Sequence, residues 1–301
     1  MKLLSTFALA VCLAFPAIAQ QERGFLGFSD LFNNDALGDG KDRWRTASYM
    51  ASITWGEFND GAPAVPFALV EYRLRADLIT PVNLAGATAF PDRPYAGVIG
   101  LGAFTHIKRG QTNISFGGEL AFVGPSTGLG DLQKALHDAL GLQEPIVRGD
   151  QLPNKVYPTV SAEISRELRL GDTLIRPFFE AQAGIETYAR VGVDTLIGRN
   201  YSRNFFLRDP VTGHLTTNVR ASNTPGWGFA LGADAAYVSD SKLLPSSRGY
   251  QVERTRLRAR AGVAYEAKAS RLFYGLTYHG KEFQGQSEGQ VVGSLSLRFK
   301  F

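Results

Sequence analysis

His137 stands four positions after Gln133 in a window where Leu132, Leu136 and Leu140 also recur every four residues. That spacing predicts a helix over 129–141, with Gln133 and His137 on one face. Asp131 suits its first turn and Gly141 its end. An imidazole held beside an amide is equipped for general acid–base work near neutral pH. The same pair also fits a solvated surface histidine on a helix that braces a loop or plugs a channel. The other histidines are less suggestive. His106 and His279 fall late in alternating segments and read as lumen or interface residues, and His214 lies in a polar stretch and reads as solvated. A second group is Ser29-Asp30 with Thr46, expected near the ends of two adjacent strands. A carboxylate with hydroxyls and loop carbonyls can hold a hard cation such as calcium; it can equally be a capped, polar hairpin mouth. The stretch Asn33-Asn34-Asp35 with Gly38-Asp39-Gly40 lacks the ligand spacing and closing Glu of an EF-hand.

The elements that would position these residues read as strands. The last segment puts Val291, Leu295, Leu297, Phe299 and Phe301 on one face and Gln290, Ser294, Ser296, Arg298 and Lys300 on the other, up to the final residue. A lipid-facing apolar row and a polar lumen row explain that pattern. A segment at 67–79 carries Glu71, Arg73, Arg75 and Asp77 on one side, where lipid would cost roughly 2–4 kcal/mol per charge, so that side must face a polar lumen. Further strands are predicted at 23–31, 45–58, 95–108, 112–123, 154–170, 173–189, 191–198, 227–238, 253–268 and 272–279. With the terminal strand the count is about twelve, an even number. A long polar loop is expected at 199–225. The fold class is all-β: an antiparallel transmembrane β-barrel of about twelve strands, with the short helix inserted at the rim between strands five and six. A closed barrel leaves no edge, so the last strand must pair with the first.

The 301-residue chain begins with Met1-Lys2, an apolar run to Pro16 and Ala17-Ile18-Ala19. This is the pattern of a secretory signal peptide over 1–19, with the barrel in 20–301. The single cysteine, Cys12, lies in the leader, which leaves no thiol or disulfide for the mature chain. Hydrophobic residues make up 44% and the formal net charge is +4. No basic block of the nucleic-acid-binding kind occurs. A modest basic excess suits a phosphate-bearing neighbour such as lipopolysaccharide.

Several segments, in order, resemble the outer-membrane lipid A 3′-O-deacylase family of the LpxR type. They are Ser29-Asp30-Leu31-Phe32, Asp42-Arg43-Trp44-Arg45-Thr46, Asp92-Arg93-Pro94-Tyr95-Ala96-Gly97, Gly124-Pro125 with Gln133 and His137, and Asp150-Gln151-Leu152-Pro153-Asn154. The resemblance implies a twelve-stranded barrel that hydrolyses an acyl ester of lipid A with calcium, at a site between wall and helix on the outer rim. It implies His137 as general base, Gln133 as its neighbour and Thr46 lining the centre, with Asp30 and Ser29 serving the metal. Ser29 stands where the family has Asn. The family's loop lysine has no counterpart between Val82 and Asp92, which weakens phosphate or substrate positioning or moves it to Arg93 or another cation. The expected partners are lipopolysaccharide and outer-membrane lipids, the expected place is the bacterial outer membrane, and the expected state is a monomer. Two other functions compete: a non-catalytic pore or scaffold, and a lipid esterase with Ser29 or Ser48 as nucleophile. The helix face bearing Gln133 and His137 argues against a pore, and no orienting third residue is identifiable for a serine nucleophile.

Overall fold

The computed structural model describes residues 23–58, 62–84, 91–145, 151–201, 204–219 and 224–299. The predicted leader, Phe301 and the loop around Gly86 lie outside them. The wall is built from β1 (Gly24–Asn34), β2 (Trp44–Gly56), β3 (Leu69–Thr80), β4 (Ala96–Arg109), β5 (Thr112–Val123), β6 (Lys155–Arg166) with its short continuation β7 (Leu168–Leu170), β8 (Thr173–Ala183) and β9 (Glu186–Ile197). It continues with β12 (Gly226–Ser241), β13 (Thr255–Glu266), β14 (Ser270–His279) and β15 (Gln290–Phe299). Every neighbour pair is antiparallel, β6 pairs with β8, and β1 closes on β15 through Phe32↔Leu295, Asn33↔Ser294 and Asn34↔Gly293. Counting β6 and β7 as one, the closed wall has twelve strands. The predicted strands at 173–189 and 191–198 divide elsewhere: the turn falls at Gly184-Ile185, between β8 and β9.

Alternation sorts the wall as expected. Trp55, Tyr72, Leu74, Leu101, Leu120, Trp227, Leu257, Leu297 and Phe299 point outward and are exposed, the apolar belt of a membrane-spanning barrel. Glu71, Arg73, Arg75 and Asp77 point inward and are neutralised there. Glu71 accepts from Ser52 and from Arg73 (both 2.7 Å), and Arg75 pairs with Asp77 and Glu119.

The stretch expected as a polar loop does something else. β10 (Phe205–Arg208) and β11 (Leu215–Val219) form a separate hairpin that fills the lumen. Arg208 bonds Glu163 (2.6 Å) and Asp194 (2.8 Å) on the wall, and Asn218 donates to Ser29 (3.1 Å). His214 is therefore buried and not solvated. Its ring lies so close to Gly275 that a Cβ there would sit 2.5 Å from Nε2, so the wall is thinned where the hairpin seats. The hairpin is the plug, and the helix at the rim is left for another role.

Candidate functional site

The predicted helix is α1 (Leu129–Leu140), between β5 and β6. It lies against the outer surface of the wall with its faces in an unusual order. Gly130, Gln133 and His137 are buried against the barrel, whereas Leu132, Leu136 and Leu140 are 55%, 52% and 69% exposed. The apolar stripe thus faces away from the protein, continuing the lipid-facing belt, and the polar face is turned in. Gly97 permits this packing. It is on the outward row of β4, opposite Leu78, and a Cβ there would lie 2.5 Å from Thr127 Oγ1 and 3.2 Å from Leu129 Cβ. The helix ends at Gly141 in the left-handed region (φ 67°), with Leu142 N–H bonding His137 O at 2.8 Å.

His137 is held from both sides. Its Nδ1 lies 2.6 Å from the Gln143 carbonyl, which can only accept, so Nδ1 carries a proton. In the neutral ring Nε2 is then the basic atom. Asp42 Oδ2 lies 3.3 Å from Nε2, where it stabilises an imidazolium. One turn earlier, Gln133 Oε1 accepts from the Tyr95 hydroxyl at 2.8 Å.

Thr46 reaches this gap because of a bulge. The register of β2 on β3 slips between Arg45↔Ile79 and Ala47↔Leu78, leaving Thr46 as the extra residue. Arg45 faces the lumen, bonding Glu282 at 2.8 Å, and Ser48 does too, accepting from Asn33 at 2.9 Å. The bulge turns Thr46 outward, where its hydroxyl meets Thr80 Oγ1 at 2.7 Å and bonds the Asp42 carboxylate. Just before it, Trp44 adopts φ 53°, a conformation costly for a bulky residue. It is locked by packing on Phe283 and by donation from Nε1 to Asp92 at 2.7 Å.

Asp35 was not singled out by sequence and belongs here. It follows the last residue of β1, is 1% exposed, and accepts from Arg43 N–H at 2.8 Å. Burial, reinforced by the nearby charges of Asp42 and Asp39, pushes its carboxyl up to about 8 despite the bonds from Arg43 and Ala36 N–H. Asp42 is also raised, mainly by burial, and the His137 charge and the Thr46 bond hold it back. The signal for Asp35 was present in Asn34-Asp35, an Asn-Asp pair just before the Asp42–Thr46 segment.

The structure does not bring Ser29 or Asp30 to this site. Asp30 sits in mid-wall opposite Ala51, five positions beyond Thr46 in β2 and so about 15 Å along the strand. It is occupied by Ser296 (3.1 Å) and Arg298 (3.5 Å). Ser29 faces the lumen, fully buried under Asn218. Arg93 is sealed inside the rim, 1% exposed, bonded to Glu282 at 2.9 Å. The structure thus places Ser29, Asp30 and Arg93 away from His137, whereas His137 and Thr46 both meet Asp42 and Gln133 lies one turn before His137 on the same helix face. No group of three or more His, Cys, Asp or Glu at metal-binding spacing occurs among the described residues.

The family model for outer membrane protein LpxR matches residues 4–301. Among solved structures, LpxR from Salmonella typhimurium superposes with a TM-score of 0.76 at 15% identity, over 91% of this chain and 100% of that one. The CymD monoaromatic hydrocarbon channel matches at 0.40 and 11% identity, over 94% and 90% of the two chains. The outer-membrane channel DcaP of Acinetobacter baumannii matches at 0.36 and 10%, over 93% and 97%. No curated protein matches by sequence.

Proposed function

The chain belongs to the LpxR family of outer-membrane proteins, and on that footing we propose that it removes an ester-linked acyl group from lipid A, with calcium, acting as a monomer on lipopolysaccharide of its own membrane. The observation that carries this reading is the orientation of α1. Its leucines are exposed on the outward face while His137 is turned in against the wall, so a lipid ester lying along the outer face would meet the helix at the edge that carries the base.

His137 is placed for the first proton transfer. With Nδ1–H held by the Gln143 carbonyl, Nε2 takes a proton from a water that attacks the ester carbonyl. Asp42 stabilises the resulting imidazolium, which then returns the proton to the departing alkoxide. Thr46 and Thr80 offer hydroxyls to hold that water, and removal of the proton by a fixed base makes a serine nucleophile unnecessary.

The oxygen-rich corner at Asp35 suits a hard cation. A carboxyl raised chiefly by burial, and further by the charges of Asp42 and Asp39, is what a bound cation would relieve. Asp35 would hold calcium, with Asn34 and Asp42 as nearby oxygen donors, and when bound the ion would polarise the ester carbonyl. This moves the metal role from Asp30 and Ser29 to Asp35.

A pore reading is disfavoured by the hairpin of β10 and β11, which fills the lumen. The test is hydrolysis of purified lipopolysaccharide in detergent, with calcium or chelator, followed by mass spectrometry of lipid A. Loss of an acyl mass only when calcium is present supports the reading; intact lipid A under all conditions overturns it.

A further inference from the structure

We infer that the cavity between the plug hairpin and the wall, at the periplasmic mouth of the lumen, binds a small carboxylate with an apolar body, whose charged end is held by Arg176 and Asn113. Its occupancy does not depend on the ester hydrolysis proposed above. The cavity has a volume of about 250 Å³ and lies between β10 and the strands β4, β5, β6 and β8. Lys108, Asn113 and Arg169 place it beside the two-residue turns Gly110-Gln111 and Gly171-Asp172, at the opposite end of the barrel from α1. Short turns mark the periplasmic end of such barrels, so a ligand would enter from the periplasm. Drug-sized sites run from about 300 to 1,000 Å³, so the occupant is small.

The charges around the cavity do not balance. Arg73 is neutralised by Glu71 (2.7 Å), Arg208 by Asp194 (2.8 Å) and Glu180 by Arg190 (3.0 Å). That leaves Lys108, Arg169 and Arg176 with two carboxylates. Glu167 is shared by Lys108 (3.0 Å) and Arg169 (3.4 Å), and Glu163 by Arg176 (3.0 Å) and Arg208 (2.6 Å). One positive charge is left over, which favours a monoanion. Arg176 is the deep donor. It is 8% exposed, its Nε donates to Ser165 at 2.8 Å, and its Nη1 has no hydrogen-bond partner among the described residues. A buried N–H is seldom left unmade. Asn113 stands opposite Ser165 in the β5–β6 ladder, and its buried Nδ2 is also without a partner there. Ser165 thus has an unused donor on either side of it, a pair that suits the two oxygens of one carboxylate.

The rest of the lining is aromatic. Phe205 of the hairpin stands edge-on to Phe58 (6.0 Å between centroids) and to the His106 ring (4.9 Å), and Phe104 lies under the Arg73 guanidinium (4.3 Å). A bare inorganic anion would use none of this surface, and a neutral apolar molecule would leave the surplus charge unmet. β10 supplies both Phe205 and Arg208, so the site is complete only with the hairpin seated in the lumen.

The experiment uses full-length wild type, Arg176→Gln and Ser115→Leu, each refolded in detergent and shown to be a barrel by heat-modifiable migration. Benzoate is the probe, titrated by calorimetry beside benzamide and inorganic phosphate. Ser115 lines the cavity opposite His106, so a leucine there fills space and leaves every charge in place. Wild type should bind one benzoate per chain with a Kd of roughly 1 mM or tighter, and benzamide and phosphate at least about tenfold more weakly. Arg176→Gln should weaken benzoate roughly ten- to hundredfold, the usual effect of losing a hydrogen bond to a charged group. Ser115→Leu should weaken it comparably by exclusion, and it alone decides the location if Arg176→Gln does not reach the barrel. A wild type that binds no benzoate would overturn the site. Benzamide bound as well as benzoate would overturn the role of the charge, and phosphate bound as well would overturn the role of the aromatic lining. Undiminished binding by the folded variants would overturn the location.

Discussion

Gly97→Ala tests whether the seat of α1 on the wall is built to a tolerance. A methyl group at this position would lie 2.5 Å from Thr127 Oγ1 and 3.2 Å from Leu129 Cβ. To restore ordinary contact the Thr127 hydroxyl must retreat by about 1 Å, and Leu129 by a few tenths. Thr127 cannot simply rotate away without cost, because its Oγ1 donates to Gly124 O at 2.8 Å. The strain is therefore passed to the start of α1, which carries Gln133 and His137. The wall should tolerate the change, since the added methyl is on the outward face and alters no ladder bond. A displacement of that size at a reacting group costs up to about 10²-fold in rate. The assay is deacylation of lipopolysaccharide by the refolded barrel, read as initial rate, with heat-modifiable migration as the control for folding. Adding Thr127→Ala should recover part of the loss, because it removes the nearest clashing atom. A Gly97→Ala protein that folds and turns over at the wild-type rate would refute the claim that helix placement limits the chemistry.

Other expectations follow from the rim and the lumen. Between about pH 4 and 8 the folded state holds a proton on Asp35 that the unfolded chain releases, so this group makes the metal-free barrel less stable as pH rises, by at most about 1.4 kcal/mol per unit. Asp35→Asn should flatten the fall in Tm over that window and abolish stabilisation by added calcium; an unchanged slope would contradict the burial of a protonated carboxyl. In the lumen, Asp194 serves both Arg208 and Arg260. Asp194→Ala leaves two buried guanidinium groups short of a partner and should cost roughly 3–5 kcal/mol in urea unfolding. Because the deletion lies far from α1, the surviving folded fraction should keep its rate.

Much of the wall was legible because a period of two is imposed by lipid on one side and water or charge on the other. The charged row Glu71, Arg73, Arg75 and Asp77 could face only a lumen, and β15 announced its outward face in Leu295, Leu297 and Phe299. The helix was legible for the same kind of reason, through the fourfold recurrence of Leu132, Leu136 and Leu140, but the direction of its apolar stripe was not. In a soluble protein those leucines would be the buried face; here lipid takes the place of a core. The plug was hidden because β10 and β11 are short and bury polar groups against wall charges, so their sequence reads like a solvated loop. The bulge at Thr46 leaves no mark in the residue pattern, yet it decides which side of the wall that hydroxyl serves. The placement of Ser29-Asp30 and of Asn34-Asp35 is hidden for a related reason. Both are acidic pairs near Phe32, and only register shows that the first is in mid-wall and the second at the rim.

The most direct test of the account is the mass of lipid A recovered after incubation of purified lipopolysaccharide with calcium and either wild type or His137→Ala. Wild type should remove an ester-linked acyl group. His137→Ala should remain a folded barrel and be slower by roughly 10²–10⁴, the usual contribution of a general base. Hydrolysis by His137→Ala at the wild-type rate would contradict it.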